Sequence, residues 1–570
     1  MKTAQQLAEI LSELVIFLEL NGDNPFKIKA YQNAARLLEG SSQTLSELHD
    51  QPPAGFGKGL QEKIREFLQT GAIKDHLDLQ EATPPGLLDL LRVQGLGPKK
   101  VRILHQTLGI DGLDRLEYAI RQNLLLDLKG FGAKTQENIR QGLAFLRQGS
   151  GKFLLIEAEA GAVEMKQYLE SRFPEVPLEI AGSIRRRKEV VKDVDILAGI
   201  EVSTDIMHAF VTHPAIERVL SHGDTKSSVV LRNSLQIDLR VVPPAVMGTA
   251  LCHFTGSREH NTRLRAWALA QGKKLNEYGI HQGDRSLACH TEAEVFQELG
   301  LQPIPPELRE DLGEIEWAAE GRQLNLVTDN DIKGILHVHT TASDGRATLE
   351  QISQEAASLG YSYVGICDHS RSAYYAGGLS IEAIRNQWDA ITELNRRRTG
   401  AMLLKGIECD IKADGTLDYP DEILAGFEFI IGSIHSHFSL TADEMTERLI
   451  KATTNPFLDI LGHISGRILL EREGYPFHYD RVLDACAAAG TIVEINSNPR
   501  RLDIDWRHIR SGGGRNLFYS VSVDAHDLPG LADSRFGVGV ARKGALDPEH
   551  IVNTRSIQEF RAFIQQRRHR

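Results

Sequence analysis

The sequence predicts a multidomain chain of mixed α+β and α/β class. A helical first part is followed by a middle unit of α/β or α+β type and by a C-terminal barrel of seven βα units. Three observations predict this. In the first 150 residues apolar positions recur at three and four spacing, the helical period. From about 151 to 243 short β-rich runs alternate with helical text. From 333 onward seven apolar runs, about 27 to 40 residues apart, each end in polar residues, with helical text between them. Such regular βα alternation requires parallel strands joined by right-handed crossovers. At 570 residues the length corresponds to about three or four domains.

The N-terminal helices are read from Leu7, Leu11, Leu14, Phe17 and Leu18, and from Tyr31, Ala34, Ala35 and Leu38. An internal repeat punctuates this third: GFGKGLQEKI (55–64), GLGPKKVRIL (95–104) and GFGAKTQENI (130–139). Each copy is Gly-apolar-Gly with an apolar residue nine positions after the first glycine. Glycine permits a tight hairpin, and the amides at the start of the next helix form an anion site. A single copy reads equally as an ordinary helix cap. Three copies with lysines nearby, Lys99 among them, point to helix-hairpin-helix elements on a nucleic-acid backbone through Gly55, Gly57, Gly95, Gly97, Gly130 and Gly132. Residues 91–152 hold eleven Lys/Arg against five Asp/Glu, which supports that reading.

The middle strands are expected at 178–184, 194–200, 227–231 and 235–242, with a mixed region over 244–315, a Pro- and Glu-rich stretch at 302–321 and a linker, 316–332, leading to the barrel. The expected divisions are 1–82, 83–150, 151–243, 244–315 and 333–570. The barrel strands are ILHVH (335–339), YVGICDH (363–369), MLLKGIECD (402–410), FIIGSIH (429–435), DILGH (459–463), TIVEIN (491–496) and YSVSVDAH (519–526). In barrels of this kind catalytic groups gather where strands end.

Composition sets bounds. Apolar residues make up 41% and charged residues 25%, ordinary for a globular chain, so collagen-like, mucin-like and wholly disordered classes are excluded. A net charge of −12 excludes a uniformly basic coat but not a local basic surface. The five cysteines are far apart, as in a reduced cytosolic chain. The N-terminus has the pattern of an amphipathic helix rather than a leader, and no run of 18 apolar residues occurs. A cytoplasmic location, at the bacterial nucleoid, and a monomeric state are expected.

Two constellations carry chemistry. In GSIRRRKEVVKDVDIL (182–197), Asp193 and Asp195 are two apart on a strand and share a face. Paired carboxylates repel and require a cation, and hard oxygen ligands suit Mg²⁺. Asp238, in another apolar strand, could close the cluster, and two metals would then clamp a phosphoryl transfer. Gly182, Ser183 and Arg186 could hold the phosphates of an incoming nucleotide. Alone, Asp-x-Asp is more often a solvated strand edge; the Gly-Ser-x-Arg-Arg element eleven residues upstream favours catalysis.

The second set is C-terminal: His337, His339, Asp344, His369, Glu408, His435, His463, Asp524 and His526, all at or just past predicted strand ends. A lone histidine on an apolar strand is usually a satisfied core residue. Nine such groups are hard to explain that way. Mixed His/carboxylate sets suit Zn²⁺, Mn²⁺ or Fe²⁺, and nine groups imply two or three ions. His437 is an extra candidate, and Arg467 and Arg501 are candidate phosphate holders.

Over residues 1–315 the sequence resembles the family X DNA polymerases, the family of DNA polymerase beta. The Gly-Ser-x-Arg-Arg…Asp-x-Asp element matches 182–195, the third catalytic aspartate falls on Asp238, and the aromatic-aromatic-Thr-Gly-Ser turn falls on 253–257. The resemblance implies nucleotidyl transfer to a primer 3′-hydroxyl with Mg²⁺ or Mn²⁺ on Asp193, Asp195 and Asp238. It also implies nucleotide contacts from His253, Phe254, Gly256, Asn261 and Arg265. His253 stands where the family has an aromatic, usually Tyr, which puts ribonucleotide exclusion in question. Lys63 matches the nucleophile of the family's 5′-deoxyribose phosphate lyase, with Lys27 and Tyr31 as neighbours. Two further family lysines fall on Gly59 and Asp75, which favours a Lys63 that only binds a 5′-phosphate.

Residues 333–570 resemble the polymerase-and-histidinol-phosphatase (PHP) domain, with all nine family ligands present in order. That resemblance implies a distorted (β/α)₇ barrel and phosphoester hydrolysis at two or three divalent metals. Together the two resemblances point to a bacterial or archaeal family X polymerase fused to a PHP domain. Such a chain would act on gapped or nicked DNA and deoxynucleoside triphosphates in base excision repair or end joining, with 3′–5′ exonuclease or 3′-end processing as its second activity. Two alternatives remain open: a DNA end-binding polymerase whose PHP domain is a metal-stabilised scaffold, and a phosphatase for small esters.

Overall fold

Apolar spacing in the N-terminal third becomes a set of packed helices. The computed structural model of the chain describes residues 4–39, 45, 48, 58–93, 95–148 and 151–569. It divides into two units, 1–150 and 151–570. In the first, α1 (Ala4–Asn21) and α2 (Pro25–Glu39) pack with α3 (Lys58–Thr70) and α4 (Lys74–Ala82) round Leu7, Leu11, Leu14, Leu38 and Ile64. A second core gathers Leu96, Leu104, Phe131 and Ile139 from α5 (Pro98–Leu108), α6 (Ala133–Gln148) and the hairpins that precede them.

The repeat explains this packing. In each described hairpin the residue between the glycines, Leu96 or Phe131, is buried, as are Ile64, Leu104 and Ile139 at the ninth position. Gly95 and Gly130 have φ of +96° and +93°, left-handed backbone that favours glycine. Gly97 begins α5 with no side-chain cap on its first amides.

In the second unit a five-stranded mixed sheet forms from β1 (Leu178–Ile180), β2 (Asp193–Gly199), β3 (Ile216–His222), β4 (Lys226–Leu231) and β5 (Gln236–Val242). Its order is β1-β2-β5-β4-β3, and only β2 and β5 are parallel. Two differences from the sequence reading appear here. Gly182-Ser183-Ile184 is not strand but opens a short helix, α7 (Gly182–Arg185), because Gly182 takes φ +68°. β3 has no apolar face, being exposed from Glu217 to His222, so alternation gave no sign of it.

The C-terminal strands are β6 (Gly334–Val338), β7 (Tyr363–Ile366), β8 (Met402–Lys405), β9 (Glu408–Asp410), β10 (Ile431–Ser433), β11 (Ile460–Leu461), β12 (Ile492–Asn496) and β13 (Tyr519–Ala525). They pair in parallel in the order β8-β7-β6-β13-β12-β11-β10-β9. Seven sequence runs thus give eight paired strands, because the run 402–410 breaks at Gly406. Its first half pairs with β7 and its second half with β10. A Cβ at Gly406 would lie 2.5 Å from the Phe429 ring and 2.6 Å from the Ile366 carbonyl, so only glycine lets the chain cross the packed barrel interior here. The curl closes where Glu408 N donates to Asp368 O at 3.1 Å and Ser370 N donates to Glu408 O at 2.9 Å.

The passage 316–332 packs rather than dangles. Val327 is buried, its amide donates to Leu546 O at 3.1 Å, and its carbonyl accepts from Arg542 at 3.1 Å.

Candidate active sites

The first site lies on the mixed sheet. Parallel pairing of β2 with β5 sets Asp195 directly opposite Asp238, and Asp193 lies two residues before Asp195 on the same strand. Burial and the neighbouring Asp193 and Asp238 raise the Asp195 carboxyl to about 6 against the pull of Arg240, whose Nε is 3.6 Å away. At Asp238 burial again pushes the carboxyl up but loses: Lys226 Nζ at 2.6 Å and Gln236 Nε2 at 3.0 Å hold it below its ordinary value. Three carboxylates this close, one destabilised as an anion, suit a hard divalent cation.

Gly182 is required beside them, since a Cβ there would meet Asp195 Oδ2 at 3.0 Å on a left-handed backbone. Ser183 follows in α7. Arg186 donates through Nη1 to the Thr255 carbonyl and through Nε to Glu310 at 3.4 Å, so only its other donors remain for a phosphate. Beyond Gly256, Asn261 donates to the His253 carbonyl at 2.7 Å and Arg265 lies 3.4 Å from His253 Nδ1. Burial, with Arg265 and Arg240 beside it, lowers the His253 imidazole despite Glu277. The Phe254 ring packs on His253 at 4.9 Å and under the Arg240 guanidinium at 4.3 Å.

Sequence reasoning missed what braces this turn. Arg185 donates to Thr255 Oγ1 and to Glu292, both at 2.7 Å. Lys543, buried on a C-terminal helix (Ser534–Lys543), donates to the Arg186 carbonyl and to Glu310, both at 2.9 Å. Its helix also carries Arg535 and Arg542, so nothing in the sequence singles Lys543 out.

The second site gathers all nine C-terminal groups. Glu408 lies at its centre: Oε1 is 2.9 Å from His463 Nε2, 3.2 Å from His435 Nε2 and 3.3 Å from His337 Nε2, and Oε2 is 2.9 Å from His369 Nδ1. Asp344 Oδ2 lies 3.3 Å from both His369 Nε2 and His526 Nε2, and Asp524 Oδ1 is 3.4 Å from His339 Nε2. Four overlapping groups result, and His337, His339, His369 and Glu408 each belong to two. Burial pushes the Glu408 carboxyl up, but His435, His337 and His369 outweigh it and hold it well below its usual range. Burial, with His526 and His369 nearby, lowers His339 to about 4. Both ring nitrogens of His339, Nε2 of His337 and Nδ1 of His463 are buried without a hydrogen-bond partner. Orphaned imidazole nitrogens converging on shared carboxylates fit divalent metals.

Residues 2–73 match the model of a helix-hairpin-helix domain, 250–310 that of the DNA polymerase beta thumb, and 336–498 that of the PHP domain. Over 565 residues, 98% of this chain and 99% of the relative, the sequence is 34% identical to the DNA polymerase/3′–5′ exonuclease PolX of Bacillus subtilis (strain 168). The chain belongs to the family X DNA polymerases with a fused PHP domain. Over 267 residues, 44% of this chain and 94% of the relative, the chain is 28% identical to a probable phosphatase of Caldanaerobacter subterraneus subsp. tengcongensis. It is 24% identical over 262 residues to one of Thermoanaerobacter sp. (42% and 97%).

Outer partners orient the PHP groups. Glu494 contacts His337 Nδ1 at 2.6 Å and accepts from the His463 amide at 2.6 Å, and Asp410 lies 3.0 Å from His435 Nδ1. Neither was singled out from sequence. Arg501 sits 3.2 Å from Asp524. The Arg467 guanidinium is engaged by Asp505 at 2.6 Å and by the Arg501 carbonyl at 3.0 Å. His437 is exposed and joins none of the groups among the described residues.

In the first unit, Lys99 is exposed on α5, Gly97 and Gly132 directly precede α5 and α6, and Gly95 and Gly130 lie in the turns before them; Gly55 and Gly57 lie outside the described residues. Lys63 Nζ pairs with Glu66 at 2.9 Å and Asp75 at 3.0 Å. Burial lowers its ammonium, but these carboxylates prevail and raise it. A Schiff-base nucleophile requires the opposite shift. Tyr31 is half-buried within the field of Lys63 and Lys27, and Lys27 pairs with Asp23 at 3.0 Å.

Proposed function

We propose that the chain is a DNA-directed DNA polymerase that fills short gaps in DNA repair, with a PHP barrel acting as a metal-dependent 3′–5′ exonuclease and 3′-end-processing phosphoesterase. The observation that carries it is the pairing of two separate acid clusters in one unit, Asp193, Asp195 and Asp238 on the mixed sheet and the nine groups round Glu408 in the barrel. Divalent ions, Mg²⁺ or Mn²⁺ on the sheet and two or three of Mn²⁺, Zn²⁺ or Fe²⁺ in the barrel, would supply Lewis acidity for in-line attack at phosphorus.

The chain's own groups do the rest. Asp238, kept ionised by Lys226, would accept the primer hydroxyl proton. The Gly182-Ser183 turn presents amides to the triphosphate. His253 and Phe254 flank the sugar and base, with Asn261 and Arg265 fixing the turn. In the barrel, Glu494 and Asp410 fix ring orientation, so each imidazole offers its other nitrogen inward. The hairpins at 95–97 and 130–132, with Lys99, grip the sugar-phosphate backbone on the flanks of a gap or nick. No helix among the described residues is long and apolar enough to cross a membrane. A monomer in the cytoplasm, at the nucleoid and without membrane partners, accords with this reading.

The likeness of the barrel to probable phosphatases supports a second reading, hydrolysis of small phosphate esters. One gel separates them. On 5′-labelled gapped DNA with Mn²⁺, the protein extends with deoxynucleotides and shortens without them. Asp193→Ala with Asp195→Ala abolishes extension and spares shortening; His337→Ala with His339→Ala does the reverse. Extension without any shortening would leave the barrel as scaffold or small-ester phosphatase.

A further inference from the structure

The loop that leaves His369 has a feature that neither cluster uses. Residues 370–378 fold into a tight, hydrogen-bonded turn: Ala373 N donates to Ser370 O at 3.0 Å, Gly378 N to Ala373 O at 3.1 Å, and Leu379 N back to His369 O at 2.9 Å. Ser372 is tied down by Asp418, its amide at 2.7 Å and its hydroxyl at 2.6 Å. Ala373 and Ala376 are buried. Between them Tyr374 and Tyr375 point outward, 85% and 44% exposed. The loop is therefore anchored by its small residues and displays its two large ones.

Their placement gives the display a meaning. The Tyr375 ring centroid lies 6.5 Å from that of His369, which belongs to two of the four barrel groups. The Tyr374 ring follows 6.1 Å further on, tilted 79° to Tyr375. Two aromatic faces thus lead outward from the point where a phosphodiester would be hydrolysed. Exposed rings on an anchored turn lose little entropy on binding, and every base has a π-face that can stack on them whatever its sequence. An end-trimming enzyme must hold the last bases of a strand without reading them.

We propose that Tyr374 and Tyr375 form a stacking platform for the unpaired 3′-terminal bases of single-stranded DNA, holding the strand end over the barrel cluster. The proposal rests on the exonuclease reading of the barrel and adds its substrate-binding residues. It places the terminal base on Tyr375 and the next on Tyr374, with the backbone between them directed to the cluster.

The test uses the full chain with Mn²⁺ and two substrates, a 5′-labelled single-stranded oligonucleotide and the small diester bis(p-nitrophenyl) phosphate. For Tyr374→Ala the oligonucleotide KM is expected to rise roughly ten-fold, and for Tyr374→Ala with Tyr375→Ala roughly a hundred-fold. Diester hydrolysis stays at the wild-type rate, and Tyr374→Trp restores the oligonucleotide KM. A 2-aminopurine at the 3′ end should be quenched on binding the wild type and not the double variant. Equal losses on both substrates would make the loop a mere support of the cluster, and an unchanged oligonucleotide KM would leave the rings without a role; either overturns the platform. A wild type that cleaves the diester but no oligonucleotide would instead overturn the exonuclease reading on which the platform depends.

Discussion

Glu292 offers the clearest quantitative test of how the nucleotide turn is held. Its carboxylate accepts from Arg309 Nη1 at 2.5 Å and from Arg185 Nη2 at 2.7 Å. Burial raises its pKa, but Arg309 and Arg185 outweigh burial and bring it from 4.5 to about 2. That displacement corresponds to roughly 3 kcal/mol of stability at neutral pH. The folded pKa is depressed, so this contribution is fully present above pH 4.5 and is lost as pH falls toward 2. Glu292→Gln keeps the shape and one acceptor oxygen but removes the charge and sets an amide NH₂ against one of the two guanidiniums, leaving Arg309, 2% exposed, without its ionic partner. Hydrogen exchange of peptides covering 247–308 reads the local opening free energy without assuming that the whole chain unfolds at once. The variant should lose roughly 3 kcal/mol at pH 7, and the gap to wild type should be roughly halved at pH 3. A gap below about 1 kcal/mol at pH 7, or one unchanged between pH 7 and pH 3, would refute an ionic clamp at this position. Because Arg185 also holds Thr255 Oγ1, extension should weaken with it while diester hydrolysis in the barrel does not.

Three other outcomes are expected. Borohydride trapping on an abasic substrate should give no adduct at Lys63, whose ammonium is held charged by Glu66 and Asp75; an adduct abolished by Lys63→Ala would restore the lyase reading. Glu494→Gln should weaken metal binding in the barrel roughly 10- to 100-fold by calorimetry, since it orients His337 and the His463 amide, and should leave extension intact. Lys543→Met, nearly isosteric, leaves the Arg186 carbonyl without this donor and Glu310 with only the Arg186 guanidinium at 3.4 Å, and should cost roughly 3 kcal/mol in denaturant unfolding and raise the deoxynucleotide KM.

Much of this architecture is legible because two periodicities are strong. The ninth-position residues Ile64, Leu104 and Ile139 are buried as the repeat requires, and the nine barrel groups sit together where apolar runs turn polar. What escapes the sequence is of two kinds. β3 carries no apolar face, because its contribution is backbone pairing with β4, and pairing leaves no periodic trace. The orienting residues escape because they touch other side chains rather than substrate. Glu494 lies inside an apolar strand, and an acid in that position must have partners. The sequence signals the need without naming His337.

The pair His337 and His339 shows how a correct grouping can rest on an incomplete reason. Strand alternation alone would turn both rings to one face. Instead β6 bulges: its register slips between Leu336 and Val338 against β13 and between Ile335 and Val338 against β7, with His337 at φ +64°. Asp524 on the facing β13 stands at φ +50° at the same level. Left-handed backbone at a histidine and an aspartate costs on the order of 1–3 kcal/mol each and persists only where the surroundings impose it. Here the two distortions face each other across one strand pair, and both deliver side chains to Glu408 and its neighbours. Pleating brings side chains to a face, but a closed cluster needs them to converge on a point. The bulge supplies that convergence, so strain in β6 and β13 belongs to the metal site as much as the imidazoles do.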